Sequence, residues 1–410
     1  MSASLVLNAH QQAMLDGRHG WPQQLGMRLL AAVARAFDAA SLLPVASVHL
    51  ALSGVSVGAP GLRLFEALRA QDGRFVVPTT LNVLSADRRS VGRTPAAHAQ
   101  EQVQLRILEA CERMGALGTY SCNPFLLGCN PSFGDTVAWN ESATAPYVNA
   151  VLGARTNREG ATALASALTG YTAAYGMHLD AGRRGGVLVE VDTPVQGTDA
   201  FAVLGGAVAR AAAGRIPVIE GIVARPTLDE FTAFCAAFAT ISPLATFHMV
   251  GITPEAPTRT AALAAGAVAA LPITGATIEA ETARYTTAAS ERLDVVTIGC
   301  PHASLAQVRE VADLLGSARI HAGTTVLLQT NAAIAAQAAT EGLDRRLAAA
   351  GVDLTADTCV HISYRQPPPG AVLATNALKI AYLTASHDME VRFGTLQQCV
   401  RAAVAGRWPA

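Results

Sequence analysis

Short apolar segments alternate with longer alanine-rich segments through the second half of the chain. Apolar runs of this length are typical of strands buried on both faces, and the intervening segments are long enough for helices. The predicted strands lie at 186–192, 217–223, 246–251, 294–299, 320–329 and 352–363. Helices are predicted at 199–213 and 227–240, and others begin near Pro257 and at Ser304. This alternation predicts mostly parallel sheets covered by helices.

The first half of the chain follows a different pattern. Residues 7–39 are mainly helical in character with a break at the glycines of 17–20, and short strands are predicted at 45–51 and 74–77. A segment rich in Gly, Pro, Asn and Ser then runs from about 115 to 184. Loops of that length in a compact protein usually carry function.

The length of 410 residues predicts more than one packed unit. We expect one α/β region formed by 1–160 together with 285–410, and a second α/β unit at 161–284. The most apolar segment, 261–273, is short, rich in Ala and Gly, and contains Pro272. It therefore predicts a buried helix and turn rather than a membrane span.

Charge and cysteine content narrow the function classes. The net charge is -1 and no long Lys/Arg tract is present, which argues against nucleic acid or an anionic membrane as the main partner. The first residues lack the basic and apolar regions of a signal peptide. The odd number of Cys, 7, together with the lack of a signal peptide, favours a cytoplasmic protein whose thiols stay reduced.

Three widely separated cysteines lie beside turn-forming residues or at the edge of an apolar run: Cys122, Cys300 and Cys359. A cluster held by three thiolates leaves one iron open to a substrate oxygen, which favours Lewis-acid chemistry. Free Cys is also a common buried apolar residue, and no Cys-x-x-Cys pair is present. The spacing alone therefore leaves both interpretations open, and the other four cysteines fit the second one: Cys111, Cys129, Cys235 and Cys399.

The central loop-rich segment holds further candidates for binding and catalysis. Arg155 and Arg158 are suited to clamp a carboxylate through paired hydrogen bonds, with Ser142 and Asn149 nearby. Glu141 in a partly buried pocket is expected to have a raised pKa and to move protons. A structural Arg–Glu pair that supports the loops is an equally good interpretation of these residues.

Other polar residues lie outside that segment. Thr79, Thr80 and Asn82 follow an apolar strand, and the end of such a strand is a place where small polar ligands bind. His178 is a candidate acid, base or substrate ligand, although a lone His is more often structural. Lys379 follows a Pro-rich loop and could stabilise developing negative charge or simply be a solvated helix residue.

Two common nucleotide-binding motifs are missing from the sequence, which has neither a Walker-type loop nor a Rossmann Gly-x-Gly-x-x-Gly after a strand. Nucleotide hydrolysis and nicotinamide chemistry lose support for this reason. The segment 54–58 has the Gly-x-Ser-x-Gly form of a hydrolase nucleophile elbow. Because Ala-Pro-Gly follows it before the expected helix, we interpret it as a glycine-rich turn and not as a site with Ser56 as nucleophile.

Taken in order along the chain, these segments resemble the large subunit of aconitase X, a branch of the aconitase superfamily. The matching residues are Met14–Gly17, Val77–Asn82, Ser121, Cys122, Pro124, Trp139, Glu141, Ser142, Asn149, Gly153–Arg158, Gly176–His178, Gly299–His302 and Asp357–Cys359. The resemblance implies aconitase-like multi-layer α/β/α units. It also implies that Cys122, Cys300 and Cys359 hold an iron–sulfur cluster of the 2Fe-2S or 4Fe-4S type.

The resemblance further implies a hydro-lyase that dehydrates a small hydroxy acid. Two substrates are associated with the family, cis-3-hydroxy-L-proline and mevalonate 5-phosphate, and the bacterial-looking composition favours the first, with 1-pyrroline-2-carboxylate as product. We expect Glu141, His178 and Lys379 to be catalytic. The expected substrate-binding residues are Thr79, Thr80, Asn82, Ser142, Asn149, Arg155 and Arg158.

Related enzymes close their site with a small swivelling domain that carries a serine thought to act as base. No such domain is recognisable after Val404, so the resemblance implies a separate small subunit that supplies the serine. Residues 143–146 and 375–379 depart from the family pattern, which leaves room for another hydroxy acid as substrate. A cluster-free homologue that kept the fold and lost the activity is the alternative from a different function class.

Overall fold

The computed structural model describes residues 4–89, 95–363, 366–385 and 388–409. The strands are β1 Leu42–Pro44, β2 Val48–Leu50, β3 Thr79–Leu81, β4 Ala138–Trp139, β5 Tyr171–Ala173, β6 Gly185–Val191, β7 Pro217–Glu220, β8 His248–Met249, β9 Leu263–Ile273, β10 Val295–Ile298, β11 Thr325–Thr330, β12 Val352–Ala356, β13 Val372–Thr375 and β14 Glu390–Phe393.

Helices connect and cover these strands. They are α1 Ala9–Leu15, α2 Trp21–Ala36, α3 Gly54–Ala70, α4 Pro95–Arg113, α5 Thr144–Pro146, α6 Thr162–Thr169, α7 Thr198–Ala212, α8 Leu228–Ile241, α9 Arg259–Ala262, α10 Gly275–Ala283, α11 Leu305–Leu315, α12 Ala332–Thr340, α13 Leu343–Ala350, α14 Leu378–Thr384 and α15 Leu396–Ala405. Shorter turns of 3₁₀ type lie at Pro124–Leu127, Gly176–His178 and Asp180–Arg183, and a π-helical turn lies at Tyr147–Val151.

Three sheets in the described part of the chain are parallel throughout. Their strand orders are β12-β11-β10-β13-β14, β8-β7-β6-β9 and β3-β2-β4. The small β1-β5 sheet is antiparallel. The predicted α/β class with mostly parallel sheets is therefore confirmed.

Helices α7 and α8 pack together against the four-stranded sheet. Their contact is close because α7 has a glycine at the crossing: a Cβ atom at Gly205 would lie 2.4 Å from the carbonyl oxygen of Phe234. Val187 and Val189 of β6 point into the same core and are fully buried. The five-stranded sheet has its own core, with Val296 of β10 at its centre.

Several predicted elements agree with the structure. The helical segment near the start is divided into α1 and α2, and Gly20 with a φ of 92° is the N-cap residue of α2. Ser304 caps α11 as predicted, with its hydroxyl accepting a hydrogen bond from the backbone N–H of Gln307. The strands predicted near 186–192 and 294–299 correspond to β6 and β10.

The prediction of a buried helix and turn at 261–273 is wrong. This segment is the edge strand β9, which pairs with β6 and has register shifts along its length. Small Ala and Gly side chains carry no clear periodicity, so pairing with β6 decides the conformation. Pro272 is tolerated because one side of an edge strand has no partner. The helix predicted to begin near Pro257 is only the short helix α9, because the residues that follow it form β9.

The strand predicted at 74–77 is also misplaced, since β3 begins only at Thr79. The backbone N–H groups of Phe75 and Val76 instead bond to the carbonyls of Met114 and Ala167. The predicted division of the chain at 161–284 stays a prediction. Across the described residues, no helix is both long and apolar enough to cross a membrane.

Candidate active site

Three of the cysteines line one cavity. Cys122, Cys300 and Cys359 all face a space of about 270 Å³ between the three-stranded and the five-stranded sheets. The other four cysteines do not line it. Cys111, Cys235 and Cys399 are fully buried within apolar clusters, whereas Cys129 is partly exposed.

The cavity is formed by segments that follow the carboxyl ends of parallel strands. Asn82 follows β3, Glu141 follows β4, and Cys300 follows β10. Cys359 and Lys379 come shortly after β12 and β13. Parallel strands place their carboxyl ends at one edge of a sheet, so residues far apart in sequence meet there.

Gly299 makes the turn that presents Cys300. Its φ is 95°, and a Cβ atom at this position would lie 2.2 Å from the carbonyl oxygen of Gln329 in the neighbouring strand β11. A side chain would therefore clash with backbone as well as strain the turn. The glycine lets the chain bend sharply at the end of β10 and directs the next residue into the cavity.

The surroundings act on the three thiols in two opposite directions. Burial raises the pKa of the Cys300 thiol to about 12, and it also raises the pKa values of Cys122 and Cys359. Such thiols stay protonated unless a metal ion replaces the proton. The ammonium of Lys379 acts in the opposite direction on all three, and the backbone N–H of His302 donates to Cys122 Sγ over 3.2 Å.

The donor set fits an iron–sulfur cluster. Among the described residues, no group of three His, Cys, Asp or Glu side chains is arranged to hold one metal ion. Cysteine thiolates are the usual ligands of 2Fe-2S and 4Fe-4S clusters, in which they surround a group of several irons. Three thiols around a buried cavity, with N–H and ammonium donors beside them, match that requirement.

Glu141 and Lys379 form a largely buried ion pair in the same cavity. Lys379 Nζ lies 2.7 Å from Glu141 Oε1 and 3.1 Å from Ser142 Oγ. The backbone N–H of Ala143 also donates to Oε1, over 3.2 Å, while Asn82 Nδ2 donates to Oε2 over 2.7 Å. The carboxylate is therefore held on both oxygens.

These contacts shift the pKa of Glu141 downward, whereas an upward shift was expected. Burial alone would raise its pKa, but the Lys379 ammonium and the N–H donor of Ala143 lower it to about 2. The expectation of a raised pKa is wrong for this reason. The partner carboxylate raises the pKa of Lys379 in turn. At neutral pH the pair is fully ionised.

Comparison with known proteins identifies the family. Models of the aconitase X first, second and third domains match residues 4–181, 185–265 and 293–405. A cis-3-hydroxy-L-proline dehydratase from Pseudomonas aeruginosa is 35% identical over 98% of this chain and 71% of its own length. The chain belongs to the aconitase X family. It is thereby related to hydro-lyases, and the predicted resemblance is confirmed.

Other relatives show how the aconitase X chain compares in length. A phosphomevalonate dehydratase large subunit from Methanothermobacter thermautotrophicus is 32% identical and is covered over 93% of its length. A cis-3-hydroxy-L-proline dehydratase from Hypocrea jecorina is 33% identical and is covered over 70%. The crystal structure of Thermococcus kodakaraensis aconitase X in its holo-form superposes with a TM-score of 0.85 at 28% identity, over 97% of this chain and 100% of that one.

Several predicted site residues of this aconitase X chain lie outside the cavity lining. Arg155 donates to the carbonyl of His178 over 3.1 Å and pairs with Asp180 over 2.5 Å, and Arg158 donates to the carbonyl of Ser242 over 2.9 Å. The structure does not bring either guanidinium to the cysteines. Their predicted role as a carboxylate clamp gains no support from this placement.

His178 and Asn149 also belong to a separate network. The imidazole Nε2 of His178 lies 3.2 Å from Glu159 Oε1, and both side chains are fully buried. Asn149 donates to three carbonyls, including that of Thr156 over 2.7 Å, and accepts from Arg183 over 2.6 Å. These contacts are those of residues that hold loops together.

The predicted threonines lie behind the cavity. Thr79 Oγ1 donates to the carbonyl of Val77 over 2.9 Å, and Thr80 contacts the buried imidazole of His49 over 2.8 Å. Neither threonine lines the cavity, although Asn82 at the end of the same strand does.

Two serines of the cavity were not predicted as site residues: Ser56 was rejected as a nucleophile, and Ser53 was not considered. Helical residues begin at Gly54 with Ser53 as the N-cap, and Gly58, with a φ of 54°, separates this first turn from the longer helical part that follows. Ser56 Oγ lies 2.6 Å from Ser53 Oγ, and both line the cavity. A Ser-x-x-Ser pattern after an apolar strand is the feature that predicts such a cap.

His302 was not predicted as a site residue. It joins two cysteine loops, because its N–H bonds to Cys122 Sγ and its Nε2 lies 3.0 Å from the carbonyl of Thr358. Lys379 was predicted, and it is the sole lysine among 30 basic residues in the sequence. A chain that otherwise uses arginine keeps its one lysine in this cavity, which is a second sequence signal for the position.

Proposed function

We propose that this chain is the catalytic large subunit of an iron–sulfur hydro-lyase that converts cis-3-hydroxy-L-proline to 1-pyrroline-2-carboxylate. The observation that carries the proposal is the single cavity shared by the three cysteines, Glu141 and Lys379. It holds soft thiolate donors for a metal group and a charged pair for a small polar substrate. Membership of the aconitase X family supports the reaction class.

Cys122, Cys300 and Cys359 are the residues that would hold the cluster. A bound cluster would supply a Lewis acid for departure of the substrate hydroxyl. The protein has to position the substrate, move its proton and keep water out of the cavity. Lys379 is suited to stabilise the negative charge that develops on the substrate carboxylate when the adjacent carbon loses its proton.

Glu141 is ionised in the resting site, so it cannot donate a proton there. Its carboxylate is suited to hold the ring ammonium of a hydroxyproline. Loss of the proton from the carbon bearing the carboxylate, together with the neighbouring hydroxyl, releases one water. The enamine that remains tautomerises to the cyclic imine acid.

A small subunit is part of the proposal. The chain covers 93% to 100% of the length of five relatives named phosphomevalonate dehydratase large subunit, but only 71% and 70% of two named cis-3-hydroxy-L-proline dehydratase. The name of those five relatives, large subunit, supports a partner subunit. We infer that a separate swivel-domain chain closes the cavity and supplies a serine as base.

Mevalonate 5-phosphate is the second candidate substrate, and the coverage of the large subunits favours it. The side chains that line the cavity favour cis-3-hydroxy-L-proline. Among the described lining residues, Lys379 is the one permanent cation, and it is already paired with Glu141. Phosphate recognition generally uses several Arg, Lys or free backbone N–H donors. The identity of 35% to a hydroxyproline dehydratase points the same way.

A reconstitution assay tests the proposal. The anaerobically purified chain is mixed with a purified candidate small subunit, a swivel-domain protein sought in the genome of the same organism, and each of the two substrates is supplied separately. We expect formation of the cyclic imine acid from cis-3-hydroxy-L-proline that saturates at one small chain per large chain. Activity on mevalonate 5-phosphate alone would establish the second candidate. A protein that contains the cluster and is inactive on both substrates would contradict the proposed reaction.

A further inference from the structure

A buried histidine beside the cavity has no part in the function proposed above. His49 is the middle residue of β2, the central strand of the three-stranded sheet, and its side chain is fully buried. Its ring lies 5.4 Å from the ring of Trp139 on β4, centroid to centroid. Burial lowers the pKa of His49 to about 4, so the imidazole is neutral at physiological pH.

The contacts of the imidazole indicate which nitrogen carries the proton. His49 Nδ1 lies 2.8 Å from Thr80 Oγ1. A neutral imidazole has one N–H, and the threonine hydroxyl can donate to the other nitrogen. Thr80 Oγ1 also lies 3.3 Å from the carbonyl of Val48, but its contact with Nδ1 is the shorter one. With the hydroxyl donating to Nδ1, the proton is on Nε2, on the far side of the ring. This tautomer follows from hydrogen-bond accounting, which is how tautomers are assigned.

Asn82 supplies the matching acceptor. In the described part of the chain, His49 Nε2 and Asn82 Oδ1 are both buried and have no hydrogen bond of good geometry. The Asn82 side chain lies near enough to act on the pKa of the imidazole, in the direction opposite to burial. Buried polar atoms are rarely left without a partner. Pairing Nε2–H with Oδ1 satisfies both atoms at once.

That pairing fixes the orientation of the Asn82 amide. With Oδ1 facing His49, the Nδ2 group faces Glu141, where it donates to Oε2 over 2.7 Å. Lys379 occupies the other carboxylate oxygen over 2.7 Å. With that pairing formed, a continuous series of hydrogen bonds leads from Thr80 through His49 and Asn82 to the carboxylate in the cavity.

We propose that His49 is a positioning residue that holds the Asn82 amide against Glu141 and so fixes the carboxylate for catalysis. This inference rests on the proposed function, because it assumes that Glu141 takes part in the dehydration. A purely structural imidazole would pack on Trp139 and need no polar neighbour. The Thr80 contact on one side of the ring and the buried Asn82 Oδ1 on the other favour positioning, since an apolar ring would fill the same space but leave Oδ1 without a donor.

Two substitutions separate the polar role from packing. His49→Phe keeps a ring against Trp139 and removes the donor to Asn82. His49→Gln keeps an amide donor near the position of Nε2. We expect the Phe variant to lose about 10- to 100-fold in kcat with a smaller change in KM, and the Gln variant to recover much of that loss.

A double-mutant cycle tests whether His49 acts through Asn82. Asn82→Ala removes the link, so adding His49→Phe to that variant should change kcat by less than about 3-fold. His248→Phe is the matched control, because His248 is also buried, has a lowered pKa and contacts only the carbonyl of Arg183 outside the cavity. We expect the control to keep wild-type kcat in folded protein.

The outcomes remain distinguishable from failure of the proposed function. A wild-type kcat in His49→Phe would overturn the proposal. So would an equal loss of kcat when His49→Phe is made in the wild-type protein and in Asn82→Ala. If the wild-type complex proves inactive on both substrates, crystal structures decide instead. The Asn82 Nδ2–Glu141 Oε2 contact should then be lost in His49→Phe and kept in His49→Gln, and an unchanged contact in both variants would refute the positioning role.

Discussion

Replacing Lys379 by Met is the substitution whose effect the structure defines best. Met retains an unbranched apolar chain but removes the ammonium that lies 2.7 Å from Glu141 Oε1. The side chains of both partners are largely buried, with 18% and 13% of their surface exposed. The variant would therefore keep the packing and leave a buried carboxylate without its cation.

The magnitude follows from the titration of Glu141. Its pKa is about 2 in the folded protein against an ordinary value of 4.5. A difference of one pKa unit corresponds to about 1.4 kcal/mol, so the contacts that ionise Glu141 contribute roughly 3 kcal/mol at neutral pH. Removing one member of a buried ion pair typically costs about 3–5 kcal/mol, which agrees. We expect Lys379→Met to lower the free energy of unfolding by roughly 3 kcal/mol.

The pH dependence provides an internal check. Because the folded pKa of Glu141 is depressed, its stabilising contribution is fully present above about pH 4.5 and is lost as the pH falls toward 2. The stability difference between wild type and variant should therefore narrow below pH 4.5. Urea denaturation of the cluster-free proteins, followed by circular dichroism at several pH values, measures this difference.

A double variant controls for nonspecific damage. Lys379→Met combined with Glu141→Gln removes both charges and should be more stable at pH 7 than Lys379→Met alone, because no unpaired carboxylate remains buried. Equal stability of wild type and Lys379→Met at pH 7 would refute the reasoning. A stability difference that stays constant down to pH 3 would show that the loss is not electrostatic.

Three further predictions use other residues of the site. Cys300→Ser should abolish the visible absorbance and the bound iron of anaerobically purified protein. Cys235→Ser, in the apolar core, should retain both. Similar iron content in the two variants would contradict the assignment of Cys300 as a ligand. Selective ¹⁵N-lysine labelling should give the single Nζ resonance of Lys379, still protonated above pH 10.5, and Glu141→Gln should lower its pKa measurably. Arg155→Ala should keep wild-type KM and kcat, because the guanidinium contacts a carbonyl and Asp180 outside the cavity; a raised KM would restore it as a substrate clamp.

Local patterns predicted the repeating parts of the fold well. Apolar runs such as the one before Gly299 and the capping serine at Ser304 are signals contained within a few residues. The edge strand β9 failed because its Ala and Gly side chains carry no periodicity, and its partner β6 lies more than 70 positions earlier in the sequence. Pairing over that distance cannot be deduced from local composition.

The site shows the same limit. Cys122, Cys300, Cys359, Glu141 and Lys379 were predicted as candidates from their motifs, and the fold brings them to one cavity. Which residues share that cavity depends on where several parallel strands end, and nearness in sequence is a poor guide to it. Residues close to Glu141 in the chain, such as Arg155 and Asn149, face another network. His49 was not considered, because a lone histidine within an apolar strand gives no functional signal.

The most direct test of the account is anomalous scattering at the iron edge from crystals of the chain that is purified and grown without oxygen. The account predicts iron within the cavity, bonded to the Sγ atoms of Cys122, Cys300 and Cys359, with Glu141 and Lys379 beside it. Iron bound to a different set of ligands, or a fully reconstituted and ordered protein with three free thiols and no iron, would contradict it.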